Sequence, residues 1–199
     1  MPKKLLNSPV FLIASVAAIV AVAGTLSPKT RSLIEAAADS TSPRAMALSE
    51  QWTVASVADG DTITVRRSGE TKKIRFCGID APEIKHGKQP GQPLGQESKA
   101  NLQRLVNEVG GKVSVVSVES DRYGRTVAEV FSSKNGVEKN FNEEQLSSGN
   151  AYLYKQYAGK CPNKPVFEKA EAIAQSKKLG VWSGNYQKPW EYRKQQRSR

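Results

Sequence analysis

Arg75-Phe76-Cys77-Gly78-Ile79-Asp80-Ala81-Pro82-Glu83 is the stretch on which the reading of this chain turns. An extended apolar segment runs into a turn, with one arginine at its head and two carboxylates at its tail. Proline holds φ near about −65° and biases the preceding residue towards extended geometry. Ala81 is therefore expected to be non-helical, with its carbonyl available to a ligand. Asp80 and Glu83 lie three apart across the turn, a spacing that can bring both to one site. Asp59-Gly60-Asp61-Thr62 lies upstream and Asp121-Arg122-Tyr123-Gly124-Arg125 downstream. Together these segments supply acids for a metal and arginines for an anion.

Outward from that stretch, Trp52 to Val57 alternates as a strand, Asp59-Gly60 is a hairpin signal, and Thr62 to Arg67 returns. Lys73 to Ile79 makes a third strand, so a meander is expected. After a Gly/Pro loop over 87–95, Leu94, Ser98, Leu102, Leu105, Val106 and Val109 fall on a helical stripe that Gly110-Gly111 ends. Lys112 to Val118 is a fourth strand whose mixed pattern predicts burial on both faces or a bulge. Arg125 to Ser132 is the fifth, closed by Asn135-Gly136. Phe141 to Ser148 and Pro165 to Lys177 read as helices. The pattern predicts an α+β fold, and a five-stranded Greek-key barrel of the oligonucleotide-binding (OB-fold) type with three helices fits it. An open sheet is the alternative.

The chain has 199 residues, a formal net charge of +11 and 38% hydrophobic residues. Mean hydropathy is −0.51. These values suit one soluble domain with tails. Residues 1–47 hold five basic and two acidic side chains, so eight of the eleven net positive charges belong to the remainder. A body this basic suits a polyanion, either nucleic acid or an anionic membrane. Lys3 and Lys4 precede an uncharged run from Val10 to Leu26 that ends in Ala21-Val22-Ala23. Residues 1–26 are expected to be an export signal cleaved after Ala23, or else a membrane anchor through residues 10–26. Residues 27–50 read as a flexible linker or pro-segment, 51–184 as the folded domain, and 185–199 as a basic, frayed tail. Cys77 and Cys161 are the only cysteines; an even count in an exported chain permits one disulfide, with two free thiols as the alternative.

The chemistry follows from residue types. Asp61 closes the first hairpin and Asp80 ends the third strand. With the Ala81 carbonyl they form an oxygen-rich set suited to a hard cation. Arg75 and Arg125 suit a phosphate, because a guanidinium grips it bidentately and keeps its charge. Glu83 is placed to take a proton from water. Tyr123, Tyr152, Tyr154 and Tyr157 interleave with Arg122, Arg125 and Lys155, a pattern suited to stacking on bases beside a gripped backbone. His86, the only histidine, lies in a loop and is given no role, so the chain lacks the material for a Ser-His-Asp mechanism as usually built; two distant cysteines and one histidine do not make a four-ligand zinc site.

These motifs, in order and with Leu179-Gly180-Val181-Trp182-Ser183 after them, resemble the staphylococcal (micrococcal) nuclease family, the thermonucleases, over about Trp52 to Gly184. The resemblance implies an OB-fold barrel with three helices and calcium-dependent hydrolysis of DNA and RNA with low sequence specificity. It implies cleavage at the 5′ P–O bond, leaving 3′-phosphates. By position, Asp61, Asp80 and the Ala81 carbonyl would hold Ca2+, and Asp59 would stand behind them. Glu83 would be the general base, with Arg75 and Arg125 on the phosphate. Arg122, in place of the family's lysine, and Tyr123 would lie near the terminal phosphate. An ungapped match favours Tyr157 for base stacking, while the local Tyr-x-Tyr pattern favours Tyr152 and Tyr154. The expectation is a monomeric exported nuclease, secreted, periplasmic or membrane-anchored, acting on DNA and RNA. A non-catalytic nucleic-acid-binding module on the same fold is the alternative.

Overall fold

A computed structural model describes residues 49–87 and 89–198. The signal or anchor segment and nearly all of the linker expected from the sequence lie outside them. Strand β1 (Glu50–Val57) turns at Asp59-Gly60 into β2 (Thr62–Arg67), and Ser68-Gly69 leads into β3 (Glu70–Phe76). β5 (Lys112–Ser120) joins the other side of β1, and β6 (Thr126–Lys134) pairs antiparallel with β5. β6 then meets β3 in parallel, with Ile74 opposite Thr126, Arg75 opposite Val127 and Phe76 opposite Ala128. That last ladder closes β3-β2-β1-β5-β6 into a five-stranded barrel, the expected OB-type architecture.

Alternation fills the interior. Ile63, Val65, Ile74, Phe76, Val113, Val115, Ala128 and Val130 are buried in one core. Helix α1 (Gly95–Glu108) adds Leu102, Leu105 and Val106 from the predicted stripe, α2 (Phe141–Ser147) adds Phe141 and Leu146, and α3 (Lys164–Ser176) adds Phe167 and Ala170. The mixed pattern of β5 has both expected causes: adjacent Val115 and Val116, on opposite faces, are both buried, and its register with β6 shifts between Ser117 and Glu119.

Three features depart from the sequence reading. The third strand does not run on to Ile79. Gly78 takes φ 72° and breaks it, so that Ile79–Asp80 becomes a separate short strand, β4, paired with β8 (Tyr152–Leu153). Asn135-Gly136 closes the fifth strand as expected, but it also turns into a hairpin strand that was not expected, β7 (Val137–Asn140). Finally, the region expected to be a frayed basic tail contains a fourth helix, α4 (Pro189–Arg197), after a 3-10 turn at Gly180–Trp182. Proline at the first helical turn favours that start, because its missing N–H would have no intrahelical partner there. Cys77 and Cys161 form a disulfide that ties the end of β3 to the segment before α3. Among the described residues no helix is long and apolar enough to cross a membrane.

Candidate active site

The first hairpin and the break after β3 are held in place before any charged side chain is considered. The Phe76 N–H donates to the Asp61 carbonyl (2.8 Å), and the Ala58 N–H to the Thr62 carbonyl (2.9 Å). Two buried amides on α2 fasten the same backbone. Gln145 Nε2 donates to the Gly60 carbonyl (2.5 Å), and Asn142 Nδ2 to the Cys77 carbonyl (2.9 Å). Gly60 is dictated by contact. A Cβ there would lie 1.8 Å from Ser98 Oγ and 2.7 Å from the Ala81 Cβ, so the hairpin tip presses on both α1 and the turn after β4.

On this frame Asp61 and Asp80 converge, 1% and 0% exposed. Asp61 Oδ1 accepts from Arg75 Nη1 and from Thr62 Oγ1 (3.0 Å), and Asp61 Oδ2 accepts from the Ala81 N–H (2.7 Å). Asp80 Oδ1 accepts from Arg75 Nη2. One guanidinium thus bridges the two acids. Buried carboxylates must be paired or become neutral. Burial pushes the Asp61 carboxyl well above the usual carboxylate range; Arg75 opposes the rise, and Asp59 and Asp80 add to it. Burial also works against the charge on Arg75, but Asp61, Asp80 and Asp59 outweigh it, so its proton is held more firmly than usual.

A second guanidinium completes the cluster, and the sequence reading missed it. Arg193, on α4, donates from Nη1 to Asp80 Oδ1 (2.9 Å) and from Nη2 to Asp80 Oδ2 (2.7 Å), a bidentate grip. Its Nη1 also donates to Glu83 Oε1 (2.6 Å). Glu83 is pinned by its backbone: its N–H donates to Gln92 Oε1 (3.1 Å), and its carbonyl accepts from the Gln92 N–H (2.7 Å). A signal for Arg193 existed. Trp190 and Arg193 are three apart after a helix-starting proline, which puts both on one helical face.

The other expected residues form two further groups. At the β5–β6 turn, Arg125 Nε donates to Asp121 Oδ2 (2.7 Å), and Asp121 Oδ1 accepts the N–H groups of Tyr123 and Arg125 (both 2.9 Å). These bonds outweigh burial and hold the Asp121 carboxyl below its usual range. The guanidinium groups of Arg122 and Arg125 lie 4.9 and 5.7 Å from the exposed Tyr123 ring. Sheet register relates this group to the acids: Arg125 immediately precedes Thr126, the partner of Ile74, in the parallel ladder where Arg75 faces Val127. In the third group Tyr154 stacks on Trp190 (4.9 Å between centroids, planes 10° apart) and meets Tyr157 edge-on at 4.7 Å. Tyr157 is exposed. Tyr152, the other half of the Tyr-x-Tyr pattern, is buried, and its hydroxyl donates to the Val181 carbonyl (3.1 Å), so its ring belongs to the packing.

The chemistry of the donor set can be judged from these contacts. Asp61 and Asp80 offer only oxygen, are drawn together by one positive charge, and suit a hard divalent cation rather than a soft one. Among the described residues no cluster of three or more His, Cys, Asp or Glu side chains forms a metal site, so a cation here would need backbone oxygen or water to complete its shell.

Comparison with known proteins points one way. The family described as staphylococcal nuclease homologue matches residues 73–184. An uncharacterized endonuclease of Haemophilus influenzae is 35% identical over 146 residues, which are 72% of this chain and 73% of that protein. The thermonuclease of Staphylococcus hyicus is 33% identical over 134 residues, 67% of this chain and 76% of its own. The probable endonuclease LCL3 of Verticillium alfalfae is 37% identical over 120 residues, and there the chain spans only 40% of the relative's length. The closed barrel, the ordered motifs and these matches together establish that the chain belongs to the staphylococcal nuclease family.

Proposed function

We propose that this nuclease hydrolyses phosphodiester bonds of DNA and RNA with low sequence specificity and depends on calcium. The observation that carries the reading is the meeting of Asp61 and Asp80, both buried, on the Arg75 guanidinium, with Glu83 one turn beyond. Asp61, Asp80 and the Ala81 carbonyl are the residues that would hold the cation, which would supply positive charge beside a phosphate oxygen. Arg75 and Arg125 bind and orient the phosphate and stabilise the charge that develops on its oxygens. Glu83 takes a proton from the attacking water as the new O–P bond forms. The P–O bond to the 5′ oxygen breaks, that oxygen gains a proton from solvent, and a 3′-phosphate remains. Arg122 and Tyr123 contact the terminal phosphate, and Tyr154 and Tyr157 stack on bases.

Plasmid nicking and RNA degradation, measured with calcium and again with a chelator, test the reading. Cleavage in calcium and none with chelator is expected. Retention of DNA without cleavage would instead indicate a binding module. Glu83→Gln should lose about two to four orders of magnitude in rate while DNA still binds; a near-normal rate would remove Glu83 from its role.

We further propose that the protein works outside the cytoplasm, through residues 1–26 as a signal cleaved after Ala23. The Cys77–Cys161 disulfide supports this, since such bonds persist in oxidising compartments. The mass of the mature protein distinguishes cleavage from retention as an anchor.

A further inference from the structure

The bonds around Asp80 have a consequence for any cation there. A carboxylate offers about four lone-pair positions. At Asp80 one Oδ1 position goes to Arg75, and one on each oxygen goes to the Arg193 fork. Glu83, at the same site, is also bonded to Arg193. The charge balance explains why. Asp61 and Asp80, both buried, share Arg75, and Glu83 adds a third carboxylate three residues on; an uncompensated buried charge is strongly destabilising. Arg193 is a second positive group, and a divalent cation would be another.

The second observation lies on the same helix, one turn away. Trp190 stacks flat on Tyr154, the ring proposed to receive a base. α4 therefore covers both the acidic and the aromatic parts of the site. It is held by contacts that can be released: of its residues only Pro189 is buried. Its other contacts include the Arg193 fork, Trp190 stacked on Tyr154 and edge-on against Tyr152, the bond from the Tyr192 hydroxyl to the Pro90 carbonyl, and the bond from Gln187 Nε2 to Gln195 Oε1.

We propose that α4 is an autoinhibitory strap: Arg193 neutralises Asp80 and Glu83 in the absence of a cation, and a divalent cation competes with it for Asp80. Cation binding then frees α4, lifts Trp190 from Tyr154 and opens the aromatic platform. This inference rests on the cation site proposed above.

The test is calcium binding by calorimetry, with calcium alone as the probe, on the unaltered chain and on Arg193→Gln and Trp190→Ala. A closed form that competes lowers apparent affinity by the fraction of molecules that are open. Each variant should therefore bind calcium about tenfold tighter. Trp190→Ala keeps the Arg193 charge, so it separates the strap from simple repulsion between Arg193 and the cation. Tightening by Arg193→Gln alone would overturn the strap, as would weaker or unchanged binding by both variants. Calcium binding by none of the three would overturn the cation site and the strap together, whereas binding unaffected by the substitutions overturns the strap alone. Hydrogen exchange on the unaltered chain needs no variant to fold. The amides of α4 should exchange about tenfold faster in saturating calcium, and unchanged protection would refute the competition.

Discussion

Replacing Arg75 with methionine tests the electrostatic core of the site without any assay of activity. Arg75 donates to Asp61 through one nitrogen and to Asp80 through another, and its side chain is only 16% exposed. Breaking a buried pair from one side leaves an unpaired charge and typically destabilises by about 3–5 kcal/mol. Arg193 would still serve Asp80, so the loss concentrates on Asp61, left with the Thr62 hydroxyl and the Ala81 N–H. The lower end, about 3 kcal/mol, is therefore expected. That is a large share of the about 5–15 kcal/mol typical of a folded domain. The pH dependence gives an independent check. Burial already raises the folded-state Asp61 pKa, and Arg75 opposes it. Without Arg75 the value rises further. A raised folded pKa contributes stability that is fully present below the unfolded value of about 4 and is lost as pH rises through the folded value. The deficit of Arg75→Met should thus be greatest near about pH 8 and shrink towards about pH 5. Urea unfolding in the presence of chelator at both pH values measures it. Adding Asp61→Asn should recover much of the loss, because it removes the stranded charge. A deficit under about 1 kcal/mol, as for an exposed pair, or one that grows in acid, would refute the reasoning.

Two further outcomes follow from the frame. Cys77 and Cys161 lie 84 residues apart in sequence, so removing the crosslink by Cys77→Ala with Cys161→Ala should lower stability by about 4–5 kcal/mol on the chain-entropy account. Denaturant midpoints of the two proteins measure this, and a change under about 1 kcal/mol would contradict it. Gly60→Ala would place a methyl 1.8 Å from Ser98 Oγ and should destabilise by about 1–3 kcal/mol. It should also slow plasmid nicking, because the displaced hairpin carries Asp61; a wild-type melting curve and rate would show that the tip has room.

The parts legible in the sequence were those set by local chemistry. Alternation in Ile63-Val65 and Val113-Val115 marked strands, and Leu102, Leu105 and Val106 marked the buried face of α1, because periodicity directly reflects burial on one side. Asp61, Arg75 and Asp80 could be placed together because a short hairpin and one connecting strand leave little freedom between them. What resisted reading depended on partners distant in the chain. Ile79 and Asp80 look like the continuation of β3, and only the positive φ of Gly78 with pairing to Tyr152–Leu153 makes them a separate strand. Tyr152 and Tyr154 look alike as a motif, yet the Val181 carbonyl holds one in the packing and Trp190 covers the other.

Arg193 is the clearest case of the second kind. Its segment, Pro189-Trp190-Glu191-Tyr192-Arg193-Lys194, is polar and basic, and composition alone makes it a tail. The bonds it makes come from residues 113 and 110 positions earlier, where buried acids outnumber the local guanidinium groups. The order to read such a site is therefore charge first. Asp61 and Asp80 are buried, one arginine lies beside them in sequence, and Glu83 adds a third negative group. A low-dielectric site does not tolerate that imbalance, so either a carboxyl is held neutral or a further cation comes from solution or from elsewhere in the chain. The fold supplies the second source on a helix in which only Pro189 is fully buried, which is what allows the two sources to exchange.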